Sequence, residues 1–156
     1  MADSFYAPPR ATVADVERSF AAPPRPPQVT RAVHWLWISF ALGLPVAAWG
    51  VHISPLVGPG LVFSLVIQAV FDLLGVWIIV ALGRGRNWAR MLNAGLTSLG
   101  AVVIAAALFA SDAGESAKQV ENLGLAITLG MDVYAVMLTF TRPARGWYRA
   151  IKEARA

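Results

Sequence analysis

The stretch Leu61–Leu82 reads LVFSLVIQAVFDLLGVWIIVAL, with Asp72 at its middle and no other charge. About twenty apolar residues in helical form cross the hydrocarbon core of a bilayer. Three further stretches share that length and character: His34–Ile53, Trp88–Ala110 and Val120–Phe140, the last with Asp132 near its centre. The pattern predicts an all-α membrane protein with four transmembrane helices. A carboxylate at mid-membrane costs about 2.5–3.5 kcal/mol on insertion scales. Asp72 and Asp132 are therefore the two residues whose presence most needs a reason.

Composition supports the membrane class. Of 156 residues 57% are hydrophobic and 14% charged, whereas soluble domains carry about 25% charge. The chain has no cysteine, which excludes disulfides, thiolate metal sites and cysteine catalysis. The net charge of +4 raises nucleic acid as a partner, but the basic residues are placed for topology instead. Arg10, Arg18, Arg25 and Arg31 precede the first stretch; Arg84, Arg86 and Arg90 lie between the second and third. Arg142, Arg145, Arg149, Lys152 and Arg155 follow the fourth. The connection 54–60 carries no charge, and 111–119 only Lys118 against Asp112 and Glu115. The positive-inside rule puts both termini in the cytoplasm. Four spans require the same, so the two arguments agree. Anionic lipid, rather than nucleic acid, is the expected contact of these residues. No signal peptide precedes the first span. Arg outnumbers Lys and Ala is abundant, as in GC-rich bacterial genomes, so the expected location is a bacterial plasma membrane.

Three regions follow. Residues 1–30 form a Pro-rich cytoplasmic tail, with Pro8 and Pro9 and the run Pro23, Pro24, Arg25, Pro26, Pro27 favouring extended polyproline II. Residues 31–140 form the membrane domain, and residues 141–156 a basic cytoplasmic tail. Thr30 is the expected N-cap of the first span, and Pro45 should bend that span. Ser116-Ala-Lys-Gln119 reads as a capping box for the fourth. A shift of sixty residues sets Leu65, Ile67, Asp72 and Val76 on Leu125, Ile127, Asp132 and Val136, and Trp88 on Tyr148. That is the signature of two parallel helical hairpins.

The duplication puts Asp72 and Asp132 at one depth. Gln68 lies one turn before Asp72, and Thr128 one turn before Asp132. Asn93, Thr97 and Ser98 on the third span and Tyr134 on the fourth complete an expected intramembrane polar cluster. With no basic residue, no third carboxylate and no broken helix around the pair, interhelical hydrogen bonding outweighs a proton or cation pathway. His34 and His52 are about 27 Å apart along one helix at 1.5 Å per residue, so they cannot share a haem or metal. No other catalytic, metal or cofactor constellation stands out. Gly83-Arg-Gly-Arg86, ahead of a helix N-terminus, has the elements of a phosphate site, but reads equally well as a basic turn.

The segments Gly85-Arg-Asn-Trp-Ala-Arg90 and Arg142-Pro-Ala-Arg-Gly-Trp-Tyr148, together with the PPRPP run, resemble small actinobacterial four-span proteins with Pro-rich tails. Similar proteins are accessory factors of the cytochrome bcc–aa3 respiratory supercomplex. The resemblance implies other membrane subunits as partners and carries no catalytic residues. The expected function is thus a non-catalytic accessory or assembly subunit of a membrane complex, its Pro-rich tail held in an aromatic groove of a partner. The alternative is a small dimeric transporter or proton/ion conductor using Asp72 and Asp132.

Overall fold

The computed structural model describes residues 23–110 and 116–154. They form five helices: α1 Pro27–Ile53, α2 Pro59–Gly83, α3 Asn87–Ala110, α4 Ser116–Thr139 and α5 Arg142–Glu153. There is no strand among them. The first four are long and apolar enough to cross a membrane, and no more than 22% of any spanning window is buried inside the protein. Val62, Phe63, Val70, Phe71 and Leu73 on α2, and Leu99, Val102 and Val103 on α3, all face outward. Only a lipid environment covers that much apolar surface favourably. The chain is a multi-pass membrane protein.

The helices begin earlier than the apolar runs suggest. Proline opens both α1, at Pro27, and α2, near Pro59. At that position its missing N–H is no loss and its φ is already helical. Thr30 therefore lies inside the first turn of α1, and Pro26 is the N-cap residue; its carbonyl accepts from the amides of Val29 and Thr30. The helix runs unbroken through Pro45. Ser116 is the first helical residue of α4, and 111–115 lie outside the described residues. The starts of α1 and α3, Pro27 and Asn87, are sixty positions apart, in register with the internal match.

Helices α1, α2, α3 and α4 form a ring in which each touches the next and α4 closes on α1. The α1–α4 seam is the most extensive. Along it Trp35 meets Tyr134 edge-on, with ring centroids 5.8 Å apart, and the Ser39 hydroxyl donates to the Thr128 carbonyl at 3.2 Å. Further along, Val46 fills the space over Gly124, where a Cβ would come within 2.7 Å of it. The helices thus run antiparallel and approach closely because Gly124 has no side chain.

The basic tail expected at 141–156 is largely helix α5. Ala144, Trp147, Tyr148 and Ile151 share one face and are buried, while Arg142, Arg145, Arg149 and Lys152 stay exposed. This face joins Val29, Ala32, Leu36, Ile79, Leu82 and Ala135 in the hydrophobic core, which sits at the basic end of the bundle. Helix C-termini are satisfied there by side chains, as unpaired carbonyls require. Tyr148 donates to the Leu82 carbonyl at 3.1 Å and Arg25 to that of Gly83, which together finish α2. Arg90 reaches the Thr139 carbonyl at 3.4 Å to finish α4. Its guanidinium lies over Phe140 and Tyr148, 4.7 and 5.1 Å from the ring centroids. Between α2 and α3, Gly85 turns the chain at φ 76°, against Trp147.

Candidate functional site

The core of the basic end does not extend through the bundle. Toward the charge-poor end a cavity of about 490 Å³ lies between α1, α2 and α4. Each helix contributes one face. On α4 the lining residues are Glu121, Leu125, Thr128 and Asp132, spaced four, three and four apart. On α2 they are Leu61, Ser64, Gln68, Asp72, Gly75 and Ile79. These are helical spacings, which set the residues of each series in one line. Helix α1 adds Ser39, Phe40 and Val46 among others, and α3 adds Asn93.

Asp72 and Asp132 thus front the same cavity, from different helices. Gln68 donates to the Asp72 carboxylate at 3.0 Å. Thr128 turns its hydroxyl back onto the carbonyls of Gly124 and Leu125, at 3.2 and 3.0 Å. Ser39, which donates across the seam to Thr128, also sits against the Asp132 carboxyl. The Asn93 amide nitrogen is buried and has no acceptor among the described residues. A buried donor left unpaired costs about 1–3 kcal/mol.

The other residues of the expected cluster divide. Thr97 lines a second, smaller cavity that also touches Asp132. Ser98 is exposed and donates back to the Ala94 carbonyl at 2.9 Å, and Tyr134 is exposed beside Trp35. Neither lines either cavity. Depth along the sequence placed them with the pair; the direction in which they leave their helices does not.

A third carboxylate lines the same cavity, at a distance from the pair. Glu121 packs over Gly50 near the mouth of the cavity, about 16 Å along α4 from Asp132 at 1.5 Å per residue. Its signal was legible in the Glu121–Leu125–Thr128–Asp132 spacing. Among the described residues, no Lys, Arg or His lines either cavity. The site is acidic and hydrogen-bonding.

The Pro-rich run meets its own chain. Trp147 donates its indole N–H to the Pro23 carbonyl at 3.0 Å, Arg25 caps α2, and Pro27 opens α1. Pro24 is exposed. Pro8 and Pro9 lie outside the described residues. His34 is exposed, and His52 stacks with Trp49 at 5.8 Å. Comparison with known proteins gives no match: no family model, no curated protein and no solved structure is detectably similar to this chain.

Proposed function

We propose that this chain is a small membrane transport protein whose cation- or proton-binding centre is the cavity between Asp72 and Asp132. The two carboxylates on one cavity, with no basic side chain among the described residues that line it, carry the reading. Carboxylates inside a membrane are expensive unless a cation or proton neutralises them. A site that needs its charge supplied from outside is one that binds and releases a cation. The accessory-subunit reading drew on the resemblance and on the Pro-rich tail, of which Pro23 and Arg25 find partners within the chain, while residues 1–22 lie outside the described residues.

In this reading the cavity is open toward the charge-poor side of the membrane and sealed at the basic, cytoplasmic side. Transport then requires the seal of Tyr148, Arg25 and Leu82 to loosen while the carboxylates are neutralised. The test is flux into vesicles containing the purified protein and an entrapped pH- or cation-sensitive dye. Asp72→Asn and Asp132→Asn should each lower the flux at least about tenfold, since each removes the charge that binds the cation. Ser98→Ala, off the cavity, should leave it unchanged. Wild-type flux no faster than that of protein-free vesicles would sink the proposal.

A further inference from the structure

The second cavity, about 240 Å³, lies between α2, α3 and α4. It shares Gly75, Asn93, Thr128 and Asp132 with the first, so Asp132 fronts both spaces. Their chemistry differs. The first carries three carboxylates, hydroxyls and two amides among apolar residues such as Leu36, Phe40, Val46 and Leu125. The second is walled mainly by Phe71, Leu74, Ile78, Leu96, Ile104 and Leu129. Phe71 is 58% exposed and stands at the outer surface of the bundle. The α2–α3 side is the looser counterpart of the tight α1–α4 seam, which places an apolar pocket beside the lipid and an acidic one behind it.

We infer that the ligand of this site is an amphipathic organic cation, its charged head at Asp132 and Asp72 and its hydrocarbon part in the α2–α3 cavity. This rests on the reading of the acidic cavity as a cation site and adds the class of cation. Charge complementarity fixes the head: two carboxylates, with no basic side chain among the described residues lining either cavity, call for a positive group. The apolar walls fix the tail, because an inorganic ion has no use for them and burial of each methylene tightens binding about fourfold. The Asn93 amide, buried beside both cavities, can pair with a third element, an oxygen next to the charge. An amino-alcohol head on an alkyl chain has all three.

The probes are 2-(octylamino)ethanol, ethanolamine and octanoate, added to the purified full-length protein in detergent while its thermal unfolding is followed. The octyl amine should raise the unfolding temperature by several degrees and ethanolamine by less. Octanoate, with the wrong charge, should do nothing. Gly100 lines the second cavity, and a Cβ there meets no atom within 4 Å. The series Gly100→Ala and Gly100→Leu fills that space from a tolerant position, and folding of each variant is checked by its ligand-free unfolding temperature. The advantage of the octyl amine over ethanolamine should shrink through the series, while the ethanolamine effect persists. Asp132→Asn should abolish both. Equal effects of the two amines, unchanged by Gly100→Leu, would overturn the amphipathic ligand and leave the cation site standing. Stabilisation by octanoate as great as by the octyl amine, or no shift with either amine, would overturn the inference outright. Flux in vesicles then judges the transport reading separately.

Discussion

Tyr148 joins three elements through one side chain. Its hydroxyl finishes α2, its ring receives Arg90 from α3, and its own helix packs beneath the bundle. Burial pushes its phenol up to about 12, against Arg90 and Arg25, which favour the phenolate. The folded protein therefore holds this proton more tightly than the unfolded chain, whose tyrosine titrates near 10.0. The linked stability, on the order of 2–3 kcal/mol at 1.36 kcal/mol per unit, is fully present below pH about 10 and is lost as the pH rises toward 12. Tyr148→Phe cannot ionise. Near neutral pH it should cost about 1 kcal/mol for the lost hydrogen bond, and it should flatten the alkaline fall. Unfolding temperatures of both proteins between about pH 8 and pH 12 check this; parallel curves would refute it.

Helix α4 is held at the distance that Gly124 permits. The nearest atoms to a Cβ built there belong to Val46, a β-branched residue with few rotamers to move into. Gly124→Ala should force α1 and α4 apart and cost roughly 1–3 kcal/mol. Val46→Ala should recover most of that loss in the double variant, although alone it leaves a gap. Chemical or thermal unfolding of the four proteins in one detergent reads the coupling, and additive losses would show that the two residues do not share the contact. Helix α5 teaches the complementary lesson. Ala144, Trp147, Tyr148 and Ile151 are spaced three, one and three apart, which is an amphipathic helix, and the arginines between them occupy the outer side. Counting the arginines as a basic tail overlooked the apolar stripe they flank.

At the scale of the whole molecule, the bundle is packed at its basic end and open at the other. Leu82 and Ile78 are at most 1% exposed, whereas Ser54, Leu61 and Ser64 line the mouth of the acidic cavity. A chain without cysteine suits a labelling test. Ser64→Cys should react with a membrane-impermeant thiol reagent added from the charge-poor side, and Ser39→Cys more slowly from the same side. Leu82→Cys should resist from either side. Reaction of Leu82→Cys as fast as that of Ser64→Cys would mean that the basic end is not sealed. An ammonium ligand should slow labelling at Ser39 if it sits against Asp132.

The sequence by itself determined the number of spans and the depth of Asp72 and Asp132. Both follow from local properties, the length of an apolar run and the rise of 1.5 Å per residue. The helix faces were also written there, in the spacing from Glu121 to Asp132 and in the stripe of α5. Which faces meet was decided only by the tertiary structure. Gly124 draws α1 onto α4 and the Tyr148 base gathers the helix ends, while the α2–α3 side stays loose. The cavity between α1, α2 and α4 is the remainder of those packings. Apolar side chains turned to lipid carry little information about their neighbours, because lipid and a partner helix are almost equally apolar. A handful of close contacts and hydrogen bonds settles the arrangement, and with it the gathering of Asp72, Asp132 and Glu121 around one space.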